Sequence, residues 1–121
     1  MKHLIAALIL LLFASTALSA TCKISEYRAL ARDSNLQVTT FGQEPAITTQ
    51  EVTFTTSAQS ATFNEQTSII RVVCDAKAHF VISIAGTNAV ASSPYIPADS
   101  PEYFGVQIGR DDIIDFYDGI S

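Results

Sequence analysis

Few residues of this 121-residue chain have the type and spacing to do chemistry, and its two cysteines, Cys22 and Cys74, come first. In an exported domain an even pair reads as one disulfide. The bond would close a loop of about fifty residues, a constraint of roughly 4 kcal/mol in the chain-entropy account. Acid–base and triad chemistry need a histidine poised by a neighbour. His79 stands beside Phe80 at the mouth of an apolar run and reads as a core-edge or solvent residue. A zinc centre needs three or four nitrogen or sulfur ligands; His3 lies in the N-terminal leader, residues 1–20, and His79 with an oxidised cysteine pair does not supply them. Asp111, Asp112, Asp115 and Asp118 form an acidic tail that could attract calcium. Their spacing differs from the regular calcium loop, and a solvated strand edge that discourages aggregation explains the same charges. Glu65 and Glu102 are the remaining carboxylate candidates, and nothing in the sequence brings them together. No Gly-x-Ser-x-Gly elbow and no glycine-rich phosphate loop occurs. The expectation is a chain with no catalytic residues, no cofactor and no metal.

Contact chemistry is better represented. Tyr95, Ile96, Tyr103 and Tyr117 sit at or beside expected turns, and exposed aromatics often mark protein interfaces. The competing account is that they lid the ends of a β-sheet core.

The elements that must position these residues begin with an N-terminal leader. Lys2 supplies a charge, residues 4–13 run LIAALILLLF, and small residues follow through Ala20. That is the layout of a secretory signal peptide, a cleavable helix over residues 1–20. Its apolar run is about half the ~20 residues a membrane-spanning helix needs. Cleavage after Ser19 or Ala20 leaves residues 21–121 as one domain, in an oxidising compartment. Thr21 before Cys22 fits poorly with a lipoprotein site. Loss of Lys2 leaves 6 basic residues against 12 acidic ones, a net charge near −6. The six cations are scattered, which argues against nucleic acid or anionic lipid as a partner.

The body is rich in Thr, Ser, Val, Ile and Phe, and apolar residues alternate rather than recurring at helical spacing. Strands are expected over 22–27, 36–40, 47–56, 68–75, 79–85, 102–108 and 112–117. Residues 28–35 read as a helical turn or irregular loop, and 57–64 and 86–100 as connections. Residues 68–75, SIIRVVCD, are apolar on both faces except Arg71, as a central strand would be. A hairpin with 79–85 is the economical pairing, and Phe104, Val106 and Ile108 should face inward. The fold class is therefore all-β: one small, jelly-roll-like β-sandwich of about seven short strands.

The order of segments resembles a group of small proteins encoded by tailed phages and prophages. It runs through residues 24–27, 31–33, 43–46 and 52–57, then 60–64, 70–72 and 75–76. It closes with Ile96-Pro97-Ala98, residues 102–106 and Tyr117-Asp118-Gly119. The resemblance implies a virion-associated structural role, as capsid decoration or a head–tail component, and carries no catalytic residues. The export signal and the cysteine pair stand apart from that group.

Two readings follow. The first is a non-enzymatic virion structural protein docked on a capsid or tail lattice. The alternative is a secreted or periplasmic protein-binding β-sandwich module. A fimbrial subunit is one version of that module, although residues 115–121 lack the alternating apolar tail such subunits present. Under either reading the partner is protein, a homo-oligomer included, and no membrane span remains after signal removal.

Overall fold

The computed structural model describes residues 19–84 and 86–118. The expected signal helix falls on residues 1–20, of which 1–18 lie outside the described residues. The described chain is all-β and forms ten strands. These are β1 (Ala20–Tyr27), β2 (Leu30–Arg32), β3 (Val38–Gly42), β4 (Thr48–Phe54) and β5 (Ser57–Gln59). They continue with β6 (Ile69–Cys74), β7 (Ala78–Ser83), β8 (Tyr95–Ile96), β9 (Glu102–Gly105) and β10 (Ile113–Asp118). Three antiparallel sheets result, in the orders β4-β1-β6-β9, β5-β10-β7-β8 and β2-β3.

Period-two alternation explains the burial. In β1, Ala20, Cys22, Ile24 and Glu26 are buried, whereas Lys23 between them is exposed. In β6, Ile70, Val72 and Cys74 are buried and the intervening Ile69, Arg71 and Val73 half-buried. Successive side chains of a strand point to opposite faces, so each sheet has one core side. The core sides of the two larger sheets meet in a single cluster. Phe54 of β4 stacks on Phe116 of β10 with ring centroids 5.6 Å apart. Phe80 of β7 packs on Phe104 of β9 at 4.7 Å. Fully burying such a side chain contributes about 1.5–3 kcal/mol.

Cys22 and Cys74 face each other in register across β1 and β6 and form a disulfide. Both are fully buried, so the bond crosses two neighbouring strands within the core. Four residues beyond Cys22 along β1, Glu26 brings a buried carboxylate to the same side of the strand. Its Oε1 accepts the Asn64 N–H at 2.7 Å and the Thr67 hydroxyl at 2.8 Å, and its Oε2 accepts from Gln50 Nε2 at 3.3 Å. Gln50 also exchanges hydrogen bonds with the Ala61 backbone, accepting its N–H and donating to its carbonyl. These two side chains strap residues 60–67 to the end of the first sheet.

The topology corrects several expectations. β6 does not form a hairpin with β7. Its edges are already occupied by β1 and β9, and the turn through Ala76 carries the chain into the other sheet. Three short strands, β2, β5 and β8, lie in segments expected to be turns or connections. The strand expected to reach residue 108 ends at Gly105, and Ile108 is exposed rather than inward.

Candidate functional site

Cross-strand register gathers one set of the expected contact residues. Tyr117 of β10 opposes His79 of β7, which opposes Tyr95 of β8, so the three share a row. His79 lies 6.2 Å from the Tyr117 ring and 6.0 Å from the Tyr95 ring, edge-on to the latter. Lys77 Nζ sits 4.3 Å over the Tyr95 ring, a cation–π contact. The imidazole is held by a 2.7 Å hydrogen bond between Nδ1 and the Ser93 carbonyl oxygen. Because a carbonyl only accepts, Nδ1 carries the proton.

Loop 86–94 is fastened over the same face. Ala89 N–H donates to Asp115 Oδ1 at 3.3 Å, and Gln59 Nε2 donates to Asp115 Oδ2 at 3.0 Å. Under this cover His79 and Asp115 are buried, which leaves Tyr95 as the exposed ring of the row.

The other two expected contact residues do not join it. Ile96 follows Tyr95 on the two-residue strand β8 and points the opposite way, fully buried in the core cluster. The expectation of Ile96 as a surface contact is corrected for that reason: adjacent strand residues cannot both face outward. Tyr103 lies on β9 of the other four-stranded sheet, opposite Arg71.

The acidic tail is also rearranged. β10 is an interior strand of its sheet, not a solvated edge. Asp115 is satisfied by Gln59 and Ala89, and Asp112 pairs with Arg110 Nε at 2.9 Å. Among the described residues no group of three or more carboxylate, histidine or cysteine side chains is arranged to hold a metal ion. Gly119 lies outside the described residues. Glu102 lies on β9 opposite Val72, and Glu65 is exposed in the strapped segment 60–67.

A second surface was not anticipated. The β2–β3 hairpin exposes three large apolar side chains: Leu36 at 73%, Phe41 at 65% and Val38 at 58%. Its tip is an Asx-type turn in which Asp33 Oδ1 accepts the Asn35 and Gln37 N–H groups, both at 2.9 Å. Leu36 closes this turn with φ +62°, a left-handed conformation that disfavours a branched apolar residue. Arg32 Nη1 donates to the Leu36 carbonyl at 3.0 Å.

The hairpin's base is anchored on β1. Tyr27 is buried beneath it, and a Cβ at Gly42 would come within 2.5 Å of the Tyr27 ring. Only a glycine permits that approach. Tyr27 donates its hydroxyl proton to Glu44 Oε1 at 3.0 Å. Burial, reinforced by the Glu44 carboxylate, raises the Tyr27 pKa above its ordinary value. Residues 36–40 read as a strand in the sequence, and alternation alone does not tell that Leu36, Val38 and Phe41 end up exposed. Arg28, Arg32 and Asp33 before this segment and Gln43 and Glu44 after it are the local signal of a solvent-facing setting.

No protein-family model matches the chain, and neither a curated protein nor a solved structure is found to be similar to it.

Proposed function

We propose that this chain is a non-enzymatic structural protein that docks on other proteins through its β2–β3 hairpin, in the manner of a phage virion component. The exposed apolar triad of Leu36, Val38 and Phe41 carries the reading. Large apolar side chains left exposed on one short hairpin mark a surface that another protein can cover. Placing Leu36 in a left-handed conformation at the tip adds a local cost, which selection for stability alone would remove. The frame that presents the hairpin is a β-sandwich: the core sides of two four-stranded sheets meet through the Phe54–Phe116 and Phe80–Phe104 contacts.

The buried Cys22–Cys74 bond favours a second setting for the same docking activity, a secreted or periplasmic protein-binding module. Here signal cleavage falls after Ser19. Ala20 is a buried residue of β1, paired with Phe54, and cleavage after it would remove a core side chain.

Density-gradient fractionation of the producing culture, with mass spectrometry of the N-terminal peptide, separates the two settings. Virus-sized particles carrying the protein support the virion role. A soluble exported protein beginning at Ala20 supports the binding module. Recovery only as a cytosolic monomer with free thiols would overturn both.

A further inference from the structure

We infer that the Ser19–Ala20 bond is a processing site that only the unpaired chain offers, so that leader removal and closure of the first sheet compete in every copy. A copy that folds first keeps residues 1–19. The inference rests on the reading of the N-terminal segment as a secretory leader. It makes the virion and exported settings two covalent forms of one chain.

Ser19 is exposed, but the ladder begins on the next residue. Ala20 is 1% exposed and pairs with Phe54 of β4. Thr21 is fixed at three points. Its N–H donates to Asp75 Oδ1 at 2.8 Å, its carbonyl accepts the Asp75 N–H at 3.0 Å, and its hydroxyl lies 3.0 Å from that of Thr53. Cys22 is bonded to Cys74 and has no exposed surface. β1 is an interior strand, with β4 on one side and β6 on the other. No residue of slack separates the scissile bond from the core.

Hydrolysis adds water across the Ser19–Ala20 peptide and leaves a carboxyl on Ser19 and an amino group on Ala20, with an external signal peptidase as catalyst. Such an enzyme must draw the residues on both sides of the bond into its cleft with their backbone amides free. Whether a folded chain permits this is decided by the burial and hydrogen bonding of that backbone. Cleavage of a native chain passes through an opened form, and its rate follows the population of that form. Here opening must lift Ala20 out of the core and strip Thr21 of its partners on either side. The disulfide holds Cys22 against β6 and stops fraying two residues past Ala20. Leader removal therefore belongs to the unfolded chain in transit. A copy that folds in the cytosol, for assembly on a particle, is closed to the peptidase afterwards.

The test is digestion of the full-length precursor by purified signal peptidase in detergent micelles, read by mass spectrometry of the new N-terminus. Three chains are compared. One is the oxidised wild-type precursor, and the second carries Ala-Ser-Gly-Ser inserted between Ser19 and Ala20. The third is Phe116→Asp, which buries a charge in the core and unfolds the domain without touching the leader. Circular dichroism and thiol titration show that the first two are folded and oxidised. The expected result is rapid cleavage of the spacer chain and of Phe116→Asp, with the folded wild-type chain about a hundredfold or more slower. Equal rates for the wild-type and spacer chains would overturn the proposal and leave the leader reading intact. Resistance of the folded spacer chain would also sink it, because distance from the core would then not be the cause. Resistance of all three, with a control precursor cleaved in the same micelles, would remove the leader reading and the proposal with it.

Discussion

Glu26 shows how a single side chain holds a segment without apolar contact. Its carboxylate takes the Asn64 N–H, the Thr67 hydroxyl and the Gln50 amide, all at a position with almost no solvent access. Glu26→Ala would strand these donors, and buried donors without acceptors are costly. The expected loss is about 2–4 kcal/mol by urea denaturation. Tyr27 is the residue whose ionisation reports on the hairpin base. Its pKa is raised in the folded protein by burial and then by Glu44, so the unfolded chain releases the phenolic proton first. Above the ordinary tyrosine pKa of about 10 the unfolded state therefore binds fewer protons, and stability falls as pH rises toward the folded value. Alkaline denaturation should be shallower in Tyr27→Phe over that window, with both proteins behaving alike with respect to this group at neutral pH. A change confined to neutral pH would contradict the assignment. None of this was legible in the sequence: Glu26 and Glu44 are ordinary acidic residues until the fold supplies their donors.

At the scale of the element, the hairpin and the disulfide-bonded strand pair answer different demands. Leu36 holds a left-handed conformation and three-quarters of its surface lies in water. Leu36→Asn, which tolerates that conformation, should raise stability by about 0.5–1 kcal/mol while weakening partner contact. A stability loss on thermal melting would mean that Leu36 serves the fold instead. In β1 and β6, Cys22 and Cys74 are joined across the register in the core, closing 52 residues of separation. Replacing both by alanine removes that constraint on the unfolded chain, at a cost of about 4 kcal/mol in the chain-entropy account. The urea midpoint of the double variant tests it. The strands that carry clear alternation, such as β1 and β6, are visible in the sequence. β5 and β8 are not, because two or three residues hold too little pattern and exist as strands only against β10 and β7.

Across the whole molecule, pairing is between distant segments: Cys22 with Cys74, Ala20 with Phe54, Ala58 with Phe116. Closing such loops precedes any gain from the contacts, which slows folding. Refolding of the reduced protein should therefore be slower than that of the oxidised one, in which the β1–β6 loop is already closed. Stopped-flow fluorescence of the four tyrosines can follow both, and equal rates would show that β1–β6 pairing comes after the rate-limiting step. The exposed hairpin and the row of Tyr117, His79 and Tyr95 are both products of this assembly. The row draws its residues from β7, β8 and β10, which no stretch of sequence unites.

The all-β class, the disulfide partners and the acidic charge are already present in the sequence. These depend on period-two alternation, on cysteine number and on composition, all of them local or additive properties. Only the tertiary structure decided that β6 and β7 belong to different sheets and that Ile96 is core while Tyr95 is surface. It also decided that Asp112 and Asp115 are buried and that Leu36, Val38 and Phe41 are exposed. Each of these is set by which strand lies next to which, and an apolar residue on a strand has the same pattern whether a second sheet faces it or water does.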